Sequence, residues 1–353
     1  MSMLLNARLY GFLLLILLIV GAASAQQGKP AVQPNGGRID LDVVVTPKSG
    51  PPVADLQQQD FTLLDNKVPQ PIASFKAVNG REAPAEIVLV IDAVNANYMD
   101  VSYQRGQIDK FLRSENGQLA HPMALAVFTD EGTKIVQNFS TDGNAVSAAL
   151  DREDVSLRQI RRDAGFYGAT ERWQLSLQAL TQIVSTPAPR GERKIVVWIS
   201  PGWPLLSGPE VELDSKQQRQ IFGQVVDLST RMLRERVTLY SIDPVGAGES
   251  PLRASYYEEF VRGIEKPSQA QVGDLGLPVI AVQSGGFALS SSNDIAASLQ
   301  QCLADVEPYY QISFDPVPSE RPDGYRALQI RIDRPGLTAR THQGYYAEPS
   351  AHE

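Results

Sequence analysis

The sequence predicts an α/β fold: a doubly wound, mostly parallel sheet with a small β-sandwich-like domain formed by the N- and C-terminal strands. From residue 86 onward, short all-apolar runs alternate with helical patterns, which is typical of parallel strands covered by helices on both faces. Residues 38–80 and 309–347 instead alternate apolar and polar residues, as short antiparallel strands do. Each of these two segments is too short to bury a core alone, so we expect them to pair with each other.

The first 25 residues have the layout of a cleavable secretory signal. Arg8 precedes an apolar run over residues 13–20, and the small residues Ala23, Ser24 and Ala25 follow it. The alternative is a transmembrane anchor, but the run is shorter than the roughly 20 residues that a spanning helix needs. We therefore expect cleavage after Ala25, a secreted or periplasmic location, and no membrane span after cleavage.

Residues 26–37 are polar and rich in Pro and Gly, which indicates a linker. After it, the N-terminal β segment reads "RIDLDVVVTPKSGPPV" and then "DFTLLDNKVPQPIASFKAV". Both stretches alternate in polarity and are broken by turn residues, so they predict a few short strands. The C-terminal β segment shows the same pattern in "YYQISFDP", "YRALQIRIDR" and "LTARTHQGYY".

Between these segments, residues 86–306 carry the alternation that predicts the large sheet. The predicted strands are "EIVLVID", "MALAVFT", "RKIVVWIS", "VTLYSID" and "FALSS". Helical patterns separate them, including "TERWQLSLQALTQIV" and "SKQQRQIFGQVVDLSTRMLRER". The stretch "GTKIVQNFS" follows a tight Glu-Gly turn, so we predict an antiparallel edge strand there.

Composition and net charge make nucleic-acid binding and an intrachain disulfide unexpected for this protein. The chain has 353 residues, 43% of them hydrophobic and 20% charged, with a formal net charge of −8, so it is globular and acidic. An acidic protein has no broad attraction to phosphate backbones, and nucleic acid is therefore not an expected partner. Cys302 is the single cysteine, so it cannot form a disulfide within the chain, and we expect a small buried hydrophobe.

The pattern of reactive side chains predicts a protein that is not an enzyme. The three histidines, His121, His342 and His352, have no metal-ligand spacing and accompany no nucleophile-elbow serine motif. The glycines of "SGGFALSS" lack the lysine of a phosphate-binding loop and indicate a turn into the last strand of the sheet.

Asp92 is the last residue of the first apolar strand. Burying a carboxylate there costs free energy unless the group has a hydrogen-bonding or charged partner. The order of strands and helices, with an Asp at that position, resembles a von Willebrand factor type A domain. The flanking stretches resemble the VWFA-related family common in acidobacteria, over roughly residues 38–347. The stretches that carry this second resemblance are "VADLQQQDFTLLDNKVPQPIASF", "SIDP", "SGG", "YYQISF" and "LTARTHQGYY".

The resemblance implies a site at the carboxyl ends of the strands. Type A domains often hold Mg²⁺ there through an Asp-x-Ser-x-Ser motif, a Thr and a further Asp, since Mg²⁺ prefers hard oxygen ligands. In this sequence Asp92 and Thr170 match that pattern, whereas Val94, Ala96 and Pro201 stand at the other three positions. The resemblance therefore implies a degenerate metal-ion-dependent adhesion site, and we expect neither a bound metal nor another cofactor.

Two roles for Asp92 follow. In the first it is structural, accepting backbone N–H groups from the loop that follows it or bonding Thr170. In the alternative, Asp92 and Thr170 form an altered, incomplete site for Mg²⁺ or Ca²⁺ with Asn95, Asn97 and Asp100. Amide side chains in loops are more often turn formers, which favours the first role.

The same end of the sheet carries aromatic and apolar residues, which protein interfaces use as anchors. We therefore predict an exported, non-catalytic protein-binding module of the cell envelope, mediating protein–protein interaction or adhesion through an unidentified protein partner. The alternatives are a cation-dependent adhesion or sensor module, and aromatic residues that merely pack the insertion, residues 244–284, onto the domain. The predicted binding residues are Asp92, Asn95, Asn97, Tyr98, Tyr167, Thr170, Ser200, Trp203 and Leu205.

Overall fold

The computed structural model describes most of the chain after residue 36. The predicted signal, residues 26–36 of the predicted linker, and Leu205 lie outside the described residues. All described residues belong to one compact unit, Gly36–Glu353. Within them, no helix has both the length and the apolar character needed to cross a bilayer. The described residues are 37–79, 85–153, 165–186, 193–204, 206, 212–244, 257–290, 292–317 and 323–347.

Four short strands come first in the described chain. Side chains of the first strand alternate, so that Leu41 and Val43 are buried while Asp40 is exposed. Asn66 and Lys67 both have positive φ, 47° and 68°, which is the geometry of a two-residue hairpin turn between the second and third strands. The strands are β1 (Ile39–Pro47), β2 (Phe61–Asp65), β3 (Val68–Gln70) and β4 (Ser74–Val78).

A six-stranded sheet forms the centre of the molecule. Its strands are β5 (Glu86–Asp92), β6 (Gln118–Thr129), β7 (Gly132–Asp142), β8 (Lys194–Ile199), β9 (Val237–Ile242) and β10 (Ala288–Leu289). Their order is β10-β9-β8-β5-β6-β7. Neighbours are parallel except β7, which runs antiparallel to β6 at one edge, so the edge strand predicted at "GTKIVQNFS" is confirmed. Every residue of β5, β8 and β9 is buried, which explains their continuous apolar runs.

Helices cover both faces of this sheet. One buried cluster joins the third, fourth and fifth α-helices to the sheet, and a second joins the first, second and sixth to its other face. Cys302 is fully buried in the second cluster, which confirms its expected role as a small hydrophobe. Among the described residues the α-helices are α1 (Tyr98–Leu112), α2 (Gly143–Arg152), α3 (Gly165–Ser185), α4 (Ser215–Arg234), α5 (Leu277–Gln283) and α6 (Ile295–Leu303).

The last strands pair with the first. They are β11 (Tyr309–Phe314), β12 (Tyr325–Ile332), β13 (Leu337–Arg340) and β14 (Gly344–Tyr346). Strand β1 lies between β11 and β13, and β2 lies between β12 and β3. The resulting four-stranded sheets, β13-β1-β11-β4 and β14-β12-β2-β3, share one apolar core that includes Leu41, Phe61, Tyr310 and Phe314. The two terminal segments thus build one β unit, while the division of the chain into domains stays a prediction.

A buried polar network joins the β unit to the central sheet at the amino ends of β8 and β9. The Asp305 carboxylate accepts hydrogen bonds from Arg340 at 2.7 and 2.8 Å and from the Tyr240 hydroxyl at 2.9 Å. The backbone carbonyl of Asp305 accepts a 2.7 Å bond from Arg193, whose guanidinium lies 4.8 Å from the centre of the Tyr309 ring. Because these charges are paired and hydrogen-bonded, their burial is tolerated.

Two titratable groups with opposite pKa shifts line one small cavity of about 20 Å³ between α4, α5 and the β unit. Burial lowers the pKa of His342 to about 4. Burial raises the pKa of Asp274 to about 6, although its carboxylate accepts a 2.8 Å hydrogen bond from the backbone N–H of Gln271. Burial thus favours the neutral form of each group, so His342 is uncharged at neutral pH and the Asp274 carboxylate gains its proton near pH 6.

Acidification from about pH 7.5 to about pH 5 should consequently change stability through two opposing contributions. Unfolded His342 gains a proton near pH 6.5, whereas the folded form does so only near pH 4, which lowers the free energy of unfolding by about 2 kcal/mol. Folded Asp274 gains its proton near pH 6 and the unfolded form near 3.8, which raises the free energy of unfolding by about 1 kcal/mol. Urea titrations at both pH values should show a larger acid loss in Asp274→Asn than in the wild type. Equal losses would contradict this assignment.

Candidate functional site

The candidate site lies at the carboxyl ends of β5 and β8. Ile91 pairs with Ile199 in parallel register, so Asp92 and Ser200, the next residue on each strand, stand side by side. We call this end of the sheet the crest: residues 92–97 and 200–204, with the first turns of α1 and α3.

Asp92 is fully buried and its carboxylate is occupied by protein donors. One oxygen, Oδ1, accepts from the backbone N–H groups of Val94 at 3.0 Å and Asn95 at 2.9 Å. The other, Oδ2, accepts from the Asn95 side-chain amide at 2.8 Å and the Trp198 indole N–H at 3.1 Å. Burial raises the pKa of Asp92, and hydrogen bonds from Asn95, Trp198 and Ser200 act against this rise. The carboxyl group therefore connects β5, the loop after it and β8.

Asn95 extends this connection to the third helix. Its side-chain amide, which donates to Asp92, also donates to the Ser176 hydroxyl at 2.8 Å. Thr170, the alternative partner considered for Asp92, donates its hydroxyl to the Phe166 carbonyl at 2.9 Å, one helical turn earlier in α3. Of the two structural alternatives for Asp92, the structure therefore has the bonds from the following loop, because the helix already supplies an acceptor for Thr170. Ser176 was not anticipated; nothing in the sequence distinguishes it from other helical serines.

The donor set at the crest does not fit a divalent cation. Four N–H groups already point at the Asp92 oxygens, and the buried side chains of Val94 and Ala96 carry no oxygen. Within the described ranges, no group of three His, Cys, Asp or Glu residues is placed to bind a metal ion. The two residues of the alternative metal site are each engaged elsewhere: Asp92 accepts these four N–H groups, and the Thr170 hydroxyl bonds the Phe166 carbonyl.

Asn97 and Asp100 form a helix cap rather than an altered cation site. The Asn97 side chain accepts a 2.9 Å hydrogen bond from the backbone N–H of Asp100. The Asp100 carboxylate accepts in return from the backbone N–H of Asn97 at 3.4 Å. This reciprocal arrangement is a capping box, which satisfies free N–H groups at the start of α1. Asn97 and Asp100 therefore have a structural role at the start of α1.

Four of the predicted binding residues, Asp92, Asn95, Ser200 and Trp203, are buried, which corrects the sequence-based expectation. Trp203 is 3% exposed and packs edge-on against Trp198, with ring centroids 5.7 Å apart. Ser200 is fully buried, and its hydroxyl accepts a 3.1 Å hydrogen bond from the backbone N–H of Gly202. Trp203 therefore fills the space above the sheet instead of offering an exposed anchor. Leu205 lies outside the described residues, and Tyr98 is the first residue of α1.

Among the crest side chains that the structure describes, three aromatic or apolar ones remain accessible. Tyr167 is 84% exposed, Met99 is 79% exposed and Phe166 is 39% exposed. The Phe166 and Tyr167 rings form an edge-on pair with centroids 6.3 Å apart. Met99 was missed by the sequence analysis. Its signal is its position in α1, where it falls outside the helical stripe of buried residues formed by Val101, Ile108 and Leu112.

Comparison with known proteins yields distant structural likenesses. No protein-family model matches the chain, and no curated protein sequence matches it. Proximal thread matrix protein 1 from the mussel byssus is 13% identical with a TM-score of 0.38, and the match covers 67% of this chain and 50% of that one. The chain thus spans about half the length of that protein.

Two further solved structures are similar at the same level. The PilB minor pilin from Streptococcus sanguinis is 14% identical, with a TM-score of 0.33, and the match covers 67% of this chain and 61% of that one. The SpRpn10 VWA domain is 14% identical, with a TM-score of 0.28, and the match covers 55% of this chain and 93% of that one.

Proposed function

We propose that the protein is an exported, non-catalytic binding module that contacts a partner protein through its crest and needs no divalent cation to do so. One observation carries this proposal. The carboxylate that a metal site would require is enclosed by four hydrogen-bond donors, while apolar side chains stand exposed around it. Contacts at such a surface would come from buried apolar area and not from a shared metal ion.

The exposed side chains have the chemistry of interface anchors. Tyr167 and Met99 are more than three-quarters exposed, so covering them removes apolar surface from water that the free protein leaves hydrated. Tyrosine and methionine are enriched in protein interfaces, and a tyrosine near the centre of an interface is a frequent hot spot. The formal net charge of −8 favours a neutral or basic protein surface as the partner.

The titratable groups support a non-catalytic role. At the crest, the Asp92 carboxylate accepts hydrogen bonds from the loop that follows it and from β8. Elsewhere, His342 and Asp305 are buried in the contact between the β unit and the central sheet. The ring of His121 lies 3.7 Å from the Glu307 carboxylate, again next to the β unit and away from the crest. None of these described groups combines exposure with a neighbouring nucleophile, as a catalytic site would require.

Tyr167→Ala should weaken partner capture by about 30-fold, which corresponds to about 2 kcal/mol for a central interface residue. Immobilised protein would be incubated with a native cell-envelope extract, and the retained protein would be identified by mass spectrometry and titrated. Phe139→Ala is the matched control, because Phe139 is a 37% exposed aromatic on β7, away from the crest. Capture should be unchanged by the control and by EDTA. Loss of capture in EDTA, with Tyr167→Ala intact, would favour a cation-dependent adhesion or sensor module.

A further inference from the structure

A long groove separates α3 from α4, which both pack on the same face of the central sheet. Its volume is about 760 Å³. Lining residues extend along α3 from Phe166 to Ser185, a length of about 28 Å at the helical rise of about 1.5 Å per residue. The floor of the groove is apolar and buried, and its main members are Trp173, Leu177, Ile221 and Leu228.

Glutamines stand along both sides of this floor. On α3 they are Gln174, Gln178 and Gln182, and on α4 they are Gln217, Gln220 and Gln224. The three on α3 are exposed, and their amides form no hydrogen bond with other described residues. A row of primary amides beside an apolar floor offers uncharged hydrogen-bond donors and acceptors along the length of the groove.

Two buried polar atoms in the groove also lack partners among the described residues. The indole N–H of Trp173, a residue that is 6% exposed, and the side-chain oxygen of Gln224 have no hydrogen bond. Buried polar groups are normally paired, and leaving one unpaired costs about 1–3 kcal/mol. The groove therefore presents one donor and one acceptor that a bound molecule would satisfy.

The spacing of the α3 glutamines indicates what that molecule is. Residues four apart on a helix are separated by about 6 Å along its axis, whereas an extended peptide repeats every two residues, about 6.6–6.8 Å. Each amide offers an acceptor and two donors, which complements a backbone N–H and C=O. Successive glutamines can thus meet the backbone at alternate residues of an extended peptide, whose other side chains enter the apolar floor.

We propose that the α3–α4 groove binds an extended peptide segment of a partner protein, about eight residues long. A helical occupant would bring a backbone that has already satisfied its own hydrogen bonds, whereas an extended one needs the partners that the glutamines supply. The charged side chains lining the described groove are Glu212 and Asp227, both acidic, and Asp227 is paired with Arg231 at 3.0 Å, so the lining keeps a weak negative charge that fits a neutral or basic peptide. This inference goes beyond the proposed crest function and does not depend on it.

The test uses a random library of phage-displayed peptides about 12 residues long, panned on the immobilised protein. Selected peptides would be synthesised with a fluorescent label and titrated by fluorescence polarisation. We expect apolar residues at every second position, and binding at least about 10-fold weaker to Gln178→Ala/Gln224→Ala, which removes two amides. Gln218→Ala is the matched control, since Gln218 lies on α4 outside the groove lining, and it should bind within about twofold of the wild type.

A chemical variant of the same peptides tests the backbone contacts directly. Methylating the backbone nitrogen at alternate residues removes every second N–H, and it should weaken binding by at least about 10-fold. The proposal is overturned if no peptide is enriched, if enriched peptides bind the double variant as tightly as the wild type, or if methylation has no effect. Displacement of the peptides by maltohexaose or chitohexaose would overturn it in favour of a glycan groove. Retained peptide binding by Tyr167→Ala separates this groove from the crest.

Discussion

Replacing Asp92 with alanine should lower the free energy of unfolding by about 3–5 kcal/mol, a large loss for a side chain that contacts no solvent. The substitution leaves four donors without their acceptor: the backbone N–H groups of Val94 and Asn95, the Asn95 amide and the Trp198 indole. Urea denaturation would measure the loss. Asp130→Ala is the matched control, because Asp130 follows the neighbouring strand β6 but is half-exposed, and its removal should cost under about 0.5 kcal/mol.

Metal dependence gives this prediction a second readout. The thermal midpoint of the wild-type protein should be the same in EDTA and in millimolar Mg²⁺ or Ca²⁺, because a cation that does not bind the folded state cannot stabilise it. A midpoint that rises with Mg²⁺ in the wild type and fails to rise in Asp92→Ala would identify Asp92 as a metal ligand. That result would favour the alternative function, a cation-dependent adhesion or sensor module.

Asp305→Ala should have an effect of similar size at the opposite end of the central sheet, about 3–5 kcal/mol. Removing this buried carboxylate leaves the buried Tyr240 hydroxyl and the half-buried guanidinium of Arg340 without the acceptor that both bond directly. The pair of Arg38 and Asp315 provides a comparison with the same two residue types. Its side chains are 53% and 68% exposed, and Asp315→Ala should cost less than about 1 kcal/mol.

Amide hydrogen exchange would show which strands are destabilised in Asp305→Ala. Arg340 ends β13, which pairs with β1, so amide protection should fall first in these two strands of the β unit. Equal stability losses in Asp305→Ala and Asp315→Ala would mean that the buried network does not hold the β unit to the central sheet.

The local pattern of apolar and turn residues was sufficient to predict the strands of the central sheet. Strands buried on both faces must be continuously apolar, so β5, β8 and β9 were readable as short runs. The edge strand β7 was predictable from its turn, in which Gly132 adopts a φ of 114° that other residues rarely take. The bonds from Val94 and Asn95 to Asp92 are equally local, because a carboxylate readily accepts N–H groups two and three residues ahead.

Exposure at the crest could not be predicted in the same way. Trp203 is buried because Trp198 of the strand before it presents a ring edge 5.7 Å away, a contact that depends on the path of the intervening loop. Tyr167, with a similar aromatic character, is left in water. Thr170 matched a motif position, yet the helix that begins at Gly165 turns its hydroxyl to Phe166. The burial of Trp203 and the exposure of Tyr167 depend on tertiary packing, which no spacing rule encodes, whereas the Thr170 bond is local to its helix.

The placement of β1 between β11 and β13 has a consequence for the order in which the chain folds. The hydrogen-bonded side chains of Arg38 and Asp315 are 277 residues apart in sequence, and closing a flexible loop of that length costs about 5 kcal/mol in entropy. The central sheet lies within that loop, and its formation draws the two flanking segments together. We therefore expect the central sheet to assemble first and β1 to remain unpaired, with its apolar face accessible to chaperones, until the last strands close around it.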